Sequence, residues 1–257
     1  MRHVAESEKS LAGKTAIVTG GGRDIGRAVA ERLAASGAAV AINFHKSGDG
    51  AKEAVDKIEA AGGRAFALQG DMTDAADVAQ LVQQAVARFG PNVDTVVHVT
   101  GGLIARKTIA EMEIEHWTRV MDLNATSFIR IVKEALPHMP GGGSIIGIAS
   151  QAARDGGGPG AVAYGASKGA MMTATRGLAK ELGPAIRVNA VCPGMIDTDF
   201  HNTFTKPEVR KHVASITPLR REGTSEDVAN LVAYLASDEA AFITGANIDI
   251  NGGTVFS

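Results

Sequence analysis

Tyr164 and Lys168 stand four residues apart in "AYGASKG", a spacing that sets both on one face of a helix. A phenol titrates near pH ~10 and shuttles protons poorly at neutrality, but a neighbouring ammonium favours phenolate and makes tyrosine usable as a general acid or base. Ser150 closes the short apolar run "GSIIGIAS", where a hydroxyl could hydrogen-bond a carbonyl oxygen. Asn124 lies within a long helical stretch and could orient a water or the lysine. Each alone is ordinary: Tyr-x-x-x-Lys recurs on amphipathic helices, and serine often ends a strand. As a set they suit proton transfer to and from a carbonyl oxygen.

A second constellation is "TGGGRDIG", Thr19 to Gly26, between a β-branched run and a helical one. The free N–H groups and positive dipole of a helix N-terminus favour phosphate. Gly20 and Gly22 let backbone approach a ligand, and Gly26 permits close helix–strand packing. The spacing departs from a strict G-x-G-x-x-G, and Asp24 stands where another glycine is usual. Aspartate tolerates left-handed backbone. As a helix N-cap it would accept the N–H of Gly26 or Arg27, flanked by Arg23 and Arg27. The expectation is a phosphate turn that survives with Asp24 tied back onto its helix.

An NAD site carries an acid about 20 residues further on, for the ribose 2′-hydroxyl. Here the next acid after Glu31 is Asp49, and "NFHKS" offers His45 and Lys46 instead, with Arg23 in the turn. Basic groups suit a 2′-phosphate, so NADP(H) is the preferred cofactor and NAD(H) stays open.

These residues need elements to hold them. "KTAIVTG", "AVAIN", "RAFALQGD", "VDTVVHV", "GSIIGIAS", "IRVNAVCPG" and "ANIDING" read as strands. Between them "IGRAVAERLAASGA", "GAKEAVDKIEAAGG", "AADVAQLVQQAVARFG", "EHWTRVMDLNATSFIRIVKEALPHM", "AVAYGASKGAMMTATRGLAKELG" and "SEDVANLVAYLAS" have helical spacing. The alternation predicts an α/β fold, one doubly wound parallel sheet with helices on both faces, spanning 1–257 as a single dinucleotide-binding domain. Residues 1–11 are expected to be flexible, and 194–224 to form an excursion on the substrate side.

Of 257 residues 45% are hydrophobic and 21% charged, and the net charge of −2 offers no basic field to nucleic acid or anionic lipid. Cys192 is the only cysteine, which excludes an internal disulfide and fits a reducing compartment. "MRHVAESEKS" lacks the apolar core of a signal peptide and no run is long enough to span a bilayer, so a cytoplasmic protein is expected. His98 reads as a packed strand residue, not a metal ligand, since no metal-type partner is spaced near it.

From Lys14 to Gly253 the chain resembles the short-chain dehydrogenase/reductase family. The markers are the Thr19–Gly26 turn, "GDM" after the third strand, "LNAT", Ser150, "YGASK", "CPGMIDT" and "ITGANIDINGG". The resemblance implies a seven-stranded Rossmann sheet and hydride transfer between a nicotinamide and a carbonyl/alcohol pair. By motif position Tyr164 would be the acid/base, and Lys168 would lower its pKa and hold the nicotinamide ribose. Ser150 would polarise the carbonyl and Asn124 support a relay water. Gly20, Gly22, Arg23, Asp24, Ile25 and Gly26 would carry the phosphates, and Asp71 and Met72 meet the adenine. Pro193, Gly194 and Ile196 would line the nicotinamide amide, with Thr198 nearby. The family's "NNAG" appears here as "HVTG", ending in Gly101, which also belongs to the cofactor set. The family is typically a homotetramer or homodimer.

The general look is that of 3-oxoacyl-acyl-carrier-protein reductases. A narrower resemblance, to reductases of the alginate-derived keto-uronate 4-deoxy-5-hexoseulose uronate, rests on "GGLIARK", "DGGGPGA" and "DTDFH". It would make Arg106, Lys107, Arg154 and His201 cationic donors for a substrate carboxylate, the other reading being surface charge on loops. The 198–212 loop, "TDFHNTFTKPEVRKH", reads as polar and not as an apolar channel wall. The expected substrate is thus a small-molecule carbonyl, a polar keto acid or sugar-derived ketone. A 3-oxoacyl-acyl-carrier-protein reductase and a non-catalytic nucleotide-binding scaffold are the alternatives, the scaffold disfavoured by intact Ser150, Tyr164 and Lys168.

Overall fold

The run TAIVT forms β1 (Thr15–Thr19), buried along its whole length, because β-branched side chains fill both faces of a strand set in mid-sheet. The computed structural model describes residues 9–139 and 141–256. It continues through α1 (Asp24–Ala35), β2 (Ala39–Phe44), α2 (Gly48–Ala60), β3 (Arg64–Gln69), α3 (Ala75–Phe89) and β4 (Thr95–His98). Then come α4 (Ile114–Met121), a π-helical turn (Asp122–Thr126), α5 (Ser127–Ala135) and β5 (Gly143–Ile148). The chain ends through α6 (Ala152–Asp155), α7 (Val162–Leu182), β6 (Ile186–Pro193), α8 (Asp199–Phe204), α9 (Pro207–Ile216), α10 (Ser225–Ala236) and β7 (Asn247–Ile250).

The seven strands pair in the order β3-β2-β1-β4-β5-β6-β7, every pair parallel. The chain winds outward from β1 to β3, then crosses back to lay β4 on the other side of β1. That reversal opens a crevice at the carboxyl ends of the strands, between β1 and β4. One face is sealed by a core that includes Leu33, Val40, Val232 and Leu235. The other holds Phe128, Ile145 and Met171. Each such fully buried side chain contributes about 1.5–3 kcal/mol.

Among the described residues two helices carry side-chain N-caps. The Asp74 carboxylate accepts the N–H groups of Ala76 and Asp77 at the start of α3, and Thr224 and Asp227 form a capping box on α10. α1, which points into the crevice, has no side-chain cap, so its leading N–H groups face the cleft unpaired by side chains.

Three sequence expectations change in detail. The flexible N-terminus does not extend to Leu11, which is 2% exposed and donates its N–H to Ser36 C=O at 2.8 Å. Residues 1–8 of that expectation lie outside the described residues. The long helix expected around "DLNAT" is broken by the π turn. Residues 194–224 do leave the sheet, but as the ordered pair α8 and α9, closed at the base where Ile196 bridges Gly223. Among the described residues no helix is long and apolar enough to cross a membrane.

Candidate active site

A cleft of about 910 Å³ runs along the carboxyl ends of the strands, from the glycine turn past Ser150 and Tyr164 to α8. The glycine turn is as tight as its sequence demands. A Cβ on Gly22 would fall 2.5 Å from Ser47 C=O, and one on Gly26 would fall 2.1 Å from Gly20 C=O. Only glycine fits either place.

Asp24 adopts left-handed backbone with φ +46°, as its residue type allows. It does not cap the helix. Arg23 holds the capping position and Asp24 lies already inside the first turn, so its carboxylate is directed across the cleft. There it accepts Asp199 N–H at 3.4 Å, beside Arg23 Nε at 3.8 Å. Burial, with the neighbouring Asp199 carboxylate, raises its pKa above the usual carboxylate range. The amides at the start of α1 therefore escape competition from this carboxylate. An uncapped helix end over a glycine cradle fits the phosphates of a dinucleotide.

His45, Lys46, Asp71 and Met72 line the far end of the cleft. No acid ends β2. Phe44 closes the strand, and Asn43 before it donates to Gly70 C=O at 2.9 Å and accepts Gly20 N–H at 3.3 Å. It joins three strand ends and was missed in the sequence, where an asparagine inside a strand carries no signal. Gly101, Pro193, Gly194, Ile196 and Thr198 line the same cleft toward its reacting end.

Ser150 follows β5, and its Oγ accepts Ala152 N–H at 3.1 Å. Tyr164 stands half-buried near the start of α7. Lys168, one turn on, is 3% exposed. Its Nζ donates to Ile148 C=O at 2.7 Å and lies 5.9 Å from the centroid of the Tyr164 ring. Burial brings the ammonium pKa down to about 7. Burial also raises the Tyr164 phenol, opposed by its hydrogen bond with Ser150. The lowering of Tyr164 expected from Lys168 is not found: the phenol stays above its ordinary value, and the group that opposes the rise is Ser150.

Asn124 is fully buried in the π turn. Its Nδ2 donates to Val120 C=O at 2.8 Å and Gly102 C=O at 2.9 Å, and its Oδ1 accepts Gly102 N–H at 2.9 Å. The amide thereby fixes the loop segment after β4 at Gly102, beside Lys168. A Cβ on Gly101 would meet Asn124 Oδ1 at 2.5 Å and Lys168 Nζ at 2.8 Å. Gly101→Ala should therefore lower kcat by about two orders of magnitude, through displacement of the lysine. Steady-state rates beside an unchanged far-ultraviolet circular dichroism spectrum check this; near-native kcat would refute it.

His98 ends β4, buried between two hydroxyls. Thr19 Oγ1 already accepts the N–H groups of Val99 and Thr100 at 3.2 Å, so its own proton goes to His98 Nδ1 at 3.0 Å. Nε2 consequently carries the imidazole proton and donates to Ser127 Oγ at 3.0 Å, which donates in turn to Leu123 C=O at 2.6 Å. Burial pushes the imidazole pKa down to about 3. This neutral histidine ties the strand before the glycine turn to the π turn that carries Asn124. Cys192 is buried too, and burial raises its thiol to about 11.

The four residues considered as a carboxylate clamp do not converge. Arg106 donates to Phe204 C=O at 3.1 Å and Pro159 C=O at 2.9 Å. Lys107 pairs with Glu113 at 2.5 Å, and Arg154 with Asp249 at 3.1 Å. His201 meets Thr205 Oγ1 at 2.9 Å within its own helix, and burial lowers its pKa to about 4, so it is neutral. The 198–212 segment is not a polar wall either, because α8 folds Phe200 and Phe204 onto the cleft, the Phe200 ring 5.7 Å from that of Tyr164. Ile104, which lines the same cleft, has φ +63°, in a tight turn closed by Ala105 N–H to Leu103 C=O at 2.7 Å. A β-branched residue in that region carries strain of about 1–3 kcal/mol, of the kind that gathers at binding sites.

The sequence model of the family described as Enoyl-(Acyl carrier protein) reductase matches residues 20–255. The chain belongs to the short-chain dehydrogenase/reductase family and is an NAD(P)-dependent oxidoreductase. It is 39% identical over 246 residues to an uncharacterised oxidoreductase of Methylorubrum extorquens, covering 95% of this chain and 98% of that one. To the 3-oxoacyl-[acyl-carrier-protein] reductase of Staphylococcus aureus it is 36% identical, over 93% of this chain and 97% of that one. Among solved structures, a blue fluorescent protein from a metagenomic library, in complex with NADPH, superposes with TM-score 0.89 at 38% identity, covering 96% and 100% of the two chains. A 7α-hydroxysteroid dehydrogenase complexed with NADH and 7-oxo glycochenodeoxycholic acid gives 0.91 at 33% identity, covering 98% of each.

Proposed function

We propose that the protein reduces a carbonyl compound to the alcohol with NADPH, Tyr164 supplying the proton. The observation that supports this is the meeting of Ser150, Tyr164 and Lys168 in the cleft that the glycine turn opens. Gly20, Gly22, Arg23, Asp24, Ile25 and Gly26 would hold the phosphates, Asp71 and Met72 the adenine, and Gly101, Pro193, Gly194, Ile196 and Thr198 the nicotinamide end. The cofactor, when bound, supplies the hydride. Ser150 holds the carbonyl oxygen through its hydroxyl. As the carbonyl carbon gains the hydride with its two electrons, Tyr164 gives its phenolic proton to the oxygen, and the phenolate is reprotonated from water. Lys168 would hold the nicotinamide ribose, and in its charged form it would place a positive charge 5.9 Å from the Tyr164 ring centroid. Asn124 acts by position, through the Gly102 backbone.

His45 and Lys46 on the cleft wall, with no acid ending β2, support a preference for NADP(H). NADPH should exceed NADH in kcat/KM at least about tenfold, and Lys46→Glu should collapse that ratio by about tenfold. A ratio unmoved by the substitution would remove the basic loop from cofactor selection. Loss of NADPH absorbance, with the alginate-derived keto-uronate and an acetoacetyl thioester offered side by side, tests the reaction; no oxidation of NADPH by any carbonyl would sink it. The small polar keto acid has lost its clamp, since Arg106, Lys107 and Arg154 are engaged and His201 is neutral. A scaffold role finds no support in a site with all its proton-handling groups in place.

A cytoplasmic homotetramer or homodimer completes the reading. Ile114 on α4 is 73% exposed and Ile109 before it 75%, apolar surface that a second copy would cover.

A further inference from the structure

We propose that the substrate is a flat, largely apolar ketone, an aryl or fused-ring carbonyl compound seated edge-on between Phe200 and the Leu103–Ile104 turn. This rests on the carbonyl-reductase reading above and concerns only what the cleft admits.

Beside Tyr164 the cleft wall is a ladder of tilted rings. Phe200 lies 5.7 Å from the Tyr164 ring at 35°, and Phe204 lies 5.2 Å from Phe200 at 56°. His201 stands edge-on to Phe200 at 5.1 Å and 80°. These are the offset and edge-to-face separations in which flat π systems attract one another beyond simple burial. A neutral His201 adds no charge to the ladder.

Leu103, Ile104 and Met195 line the same cleft and add aliphatic side chains to it. Ile104, Met195, Phe200 and Phe204 belong to neither core of the fold, whereas Leu103 is already buried. Apolar side chains that take no part in the core yet line a cleft are surface waiting to be covered by a ligand. The wall is also held in shape. Arg106 Nε and Nη1 fasten the backbone at Phe204 and Pro159, and Lys107 N–H bonds Gly160 C=O at 3.1 Å. Arg106 is thus a positioning residue for the aromatic ladder, not a ligand for an anion. The strained turn at Ile104 is fixed beside it by the same strap. An acyl chain would find apolar contact here as well, but nothing in a ladder of rings selects a flexible chain over a plate.

The test compares 1-tetralone with cyclohexanone, the same cyclic ketone without the fused benzene ring, and with an acetoacetyl thioester. With NADPH, 1-tetralone should exceed cyclohexanone in kcat/KM by about 30-fold, mostly through KM. Phe200→Leu, which keeps an apolar side chain of similar bulk, should lower that ratio about tenfold, and Phe200→Tyr should preserve it. Arg106→Gln should raise the KM for 1-tetralone. A preference for the thioester, or a ratio that Phe200→Leu leaves unchanged, overturns the proposal. Calorimetric titration of each ketone into NADPH-loaded Tyr164→Phe enzyme reads binding without turnover. Tighter binding of 1-tetralone there supports the flat-ketone pocket even if no carbonyl is reduced; equal binding overturns it.

Discussion

Tyr164→Phe should lower NADPH-driven carbonyl reduction by about three orders of magnitude and leave NADPH affinity within about threefold. The substitution removes the phenolic proton and nothing else of size. The ring remains to pack at 5.7 Å on Phe200, so the fold and the substrate wall persist. Ser150 and Lys168 also remain, and both can still polarise an oxygen. What is lost is a positioned acid, for which water in a half-buried site is a poor replacement. The loss should fall on kcat, and on the hydride-transfer step in single-turnover mixing of the NADPH-loaded enzyme with ketone. Residual activity within about tenfold of the native enzyme would transfer the acid role elsewhere in the cleft.

Acid should destabilise this protein most through His98, with His201, also held neutral by burial, adding to it. Folding holds the His98 imidazole neutral, with a pKa near 3 against the ordinary 6.5. Below pH ~6.5 the unfolded chain takes up a proton that the folded chain refuses, so stability is full above that value and falls as pH drops toward 3. The slope is about 1.4 kcal/mol per pH unit, near 3 kcal/mol by pH 4.5, a large share of the about 5–15 kcal/mol that stabilises a typical domain. His98→Asn should blunt this. An asparagine can accept from Thr19 without titrating, while its shorter amide gives up the bond to Ser127. It also gives up the ring contact with Phe128 at 5.7 Å, a cost of about 1–2 kcal/mol. The variant is therefore expected to be weaker at pH 8 and equal or stronger below pH 5. Urea midpoints measured from pH 4 to 8 decide it: parallel curves for the two proteins would clear His98 of the acid sensitivity.

Features whose physics is local were legible in the sequence. Seven apolar runs alternating with helical ones fix a parallel sheet, and the Thr19–Gly26 turn fixes where its crevice lies. The four-residue spacing of Tyr164 and Lys168 sets them on one face whatever surrounds them. Features settled by contacts far along the chain were not. Arg106 looks like a free cation until Phe204, 98 residues later, brings its carbonyl. Asp24 looks like a cap until Asp199 offers an amide 175 residues away. His98 reads correctly as packed, but its tautomer follows from hydroxyls on two other elements. The aromatic wall was hidden by polar neighbours in a helix of six residues, too short for its period to stand out. The π turn at Asn124 has no signature in composition.

The link from Asp24 to Asp199, reinforced by Arg23 Nη1 at 3.5 Å from the Asp199 carboxylate, joins the phosphate turn to the first residue of the helix that bears Phe200 and Phe204. With the turn holding the cofactor and α8 the ketone, as proposed, cofactor choice and ketone choice would not be separable modules in this enzyme. A glycine turn transplanted from a relative to switch the nicotinamide would also release one anchor of the aromatic helix, and the altered coenzyme preference would arrive together with a broadened substrate range.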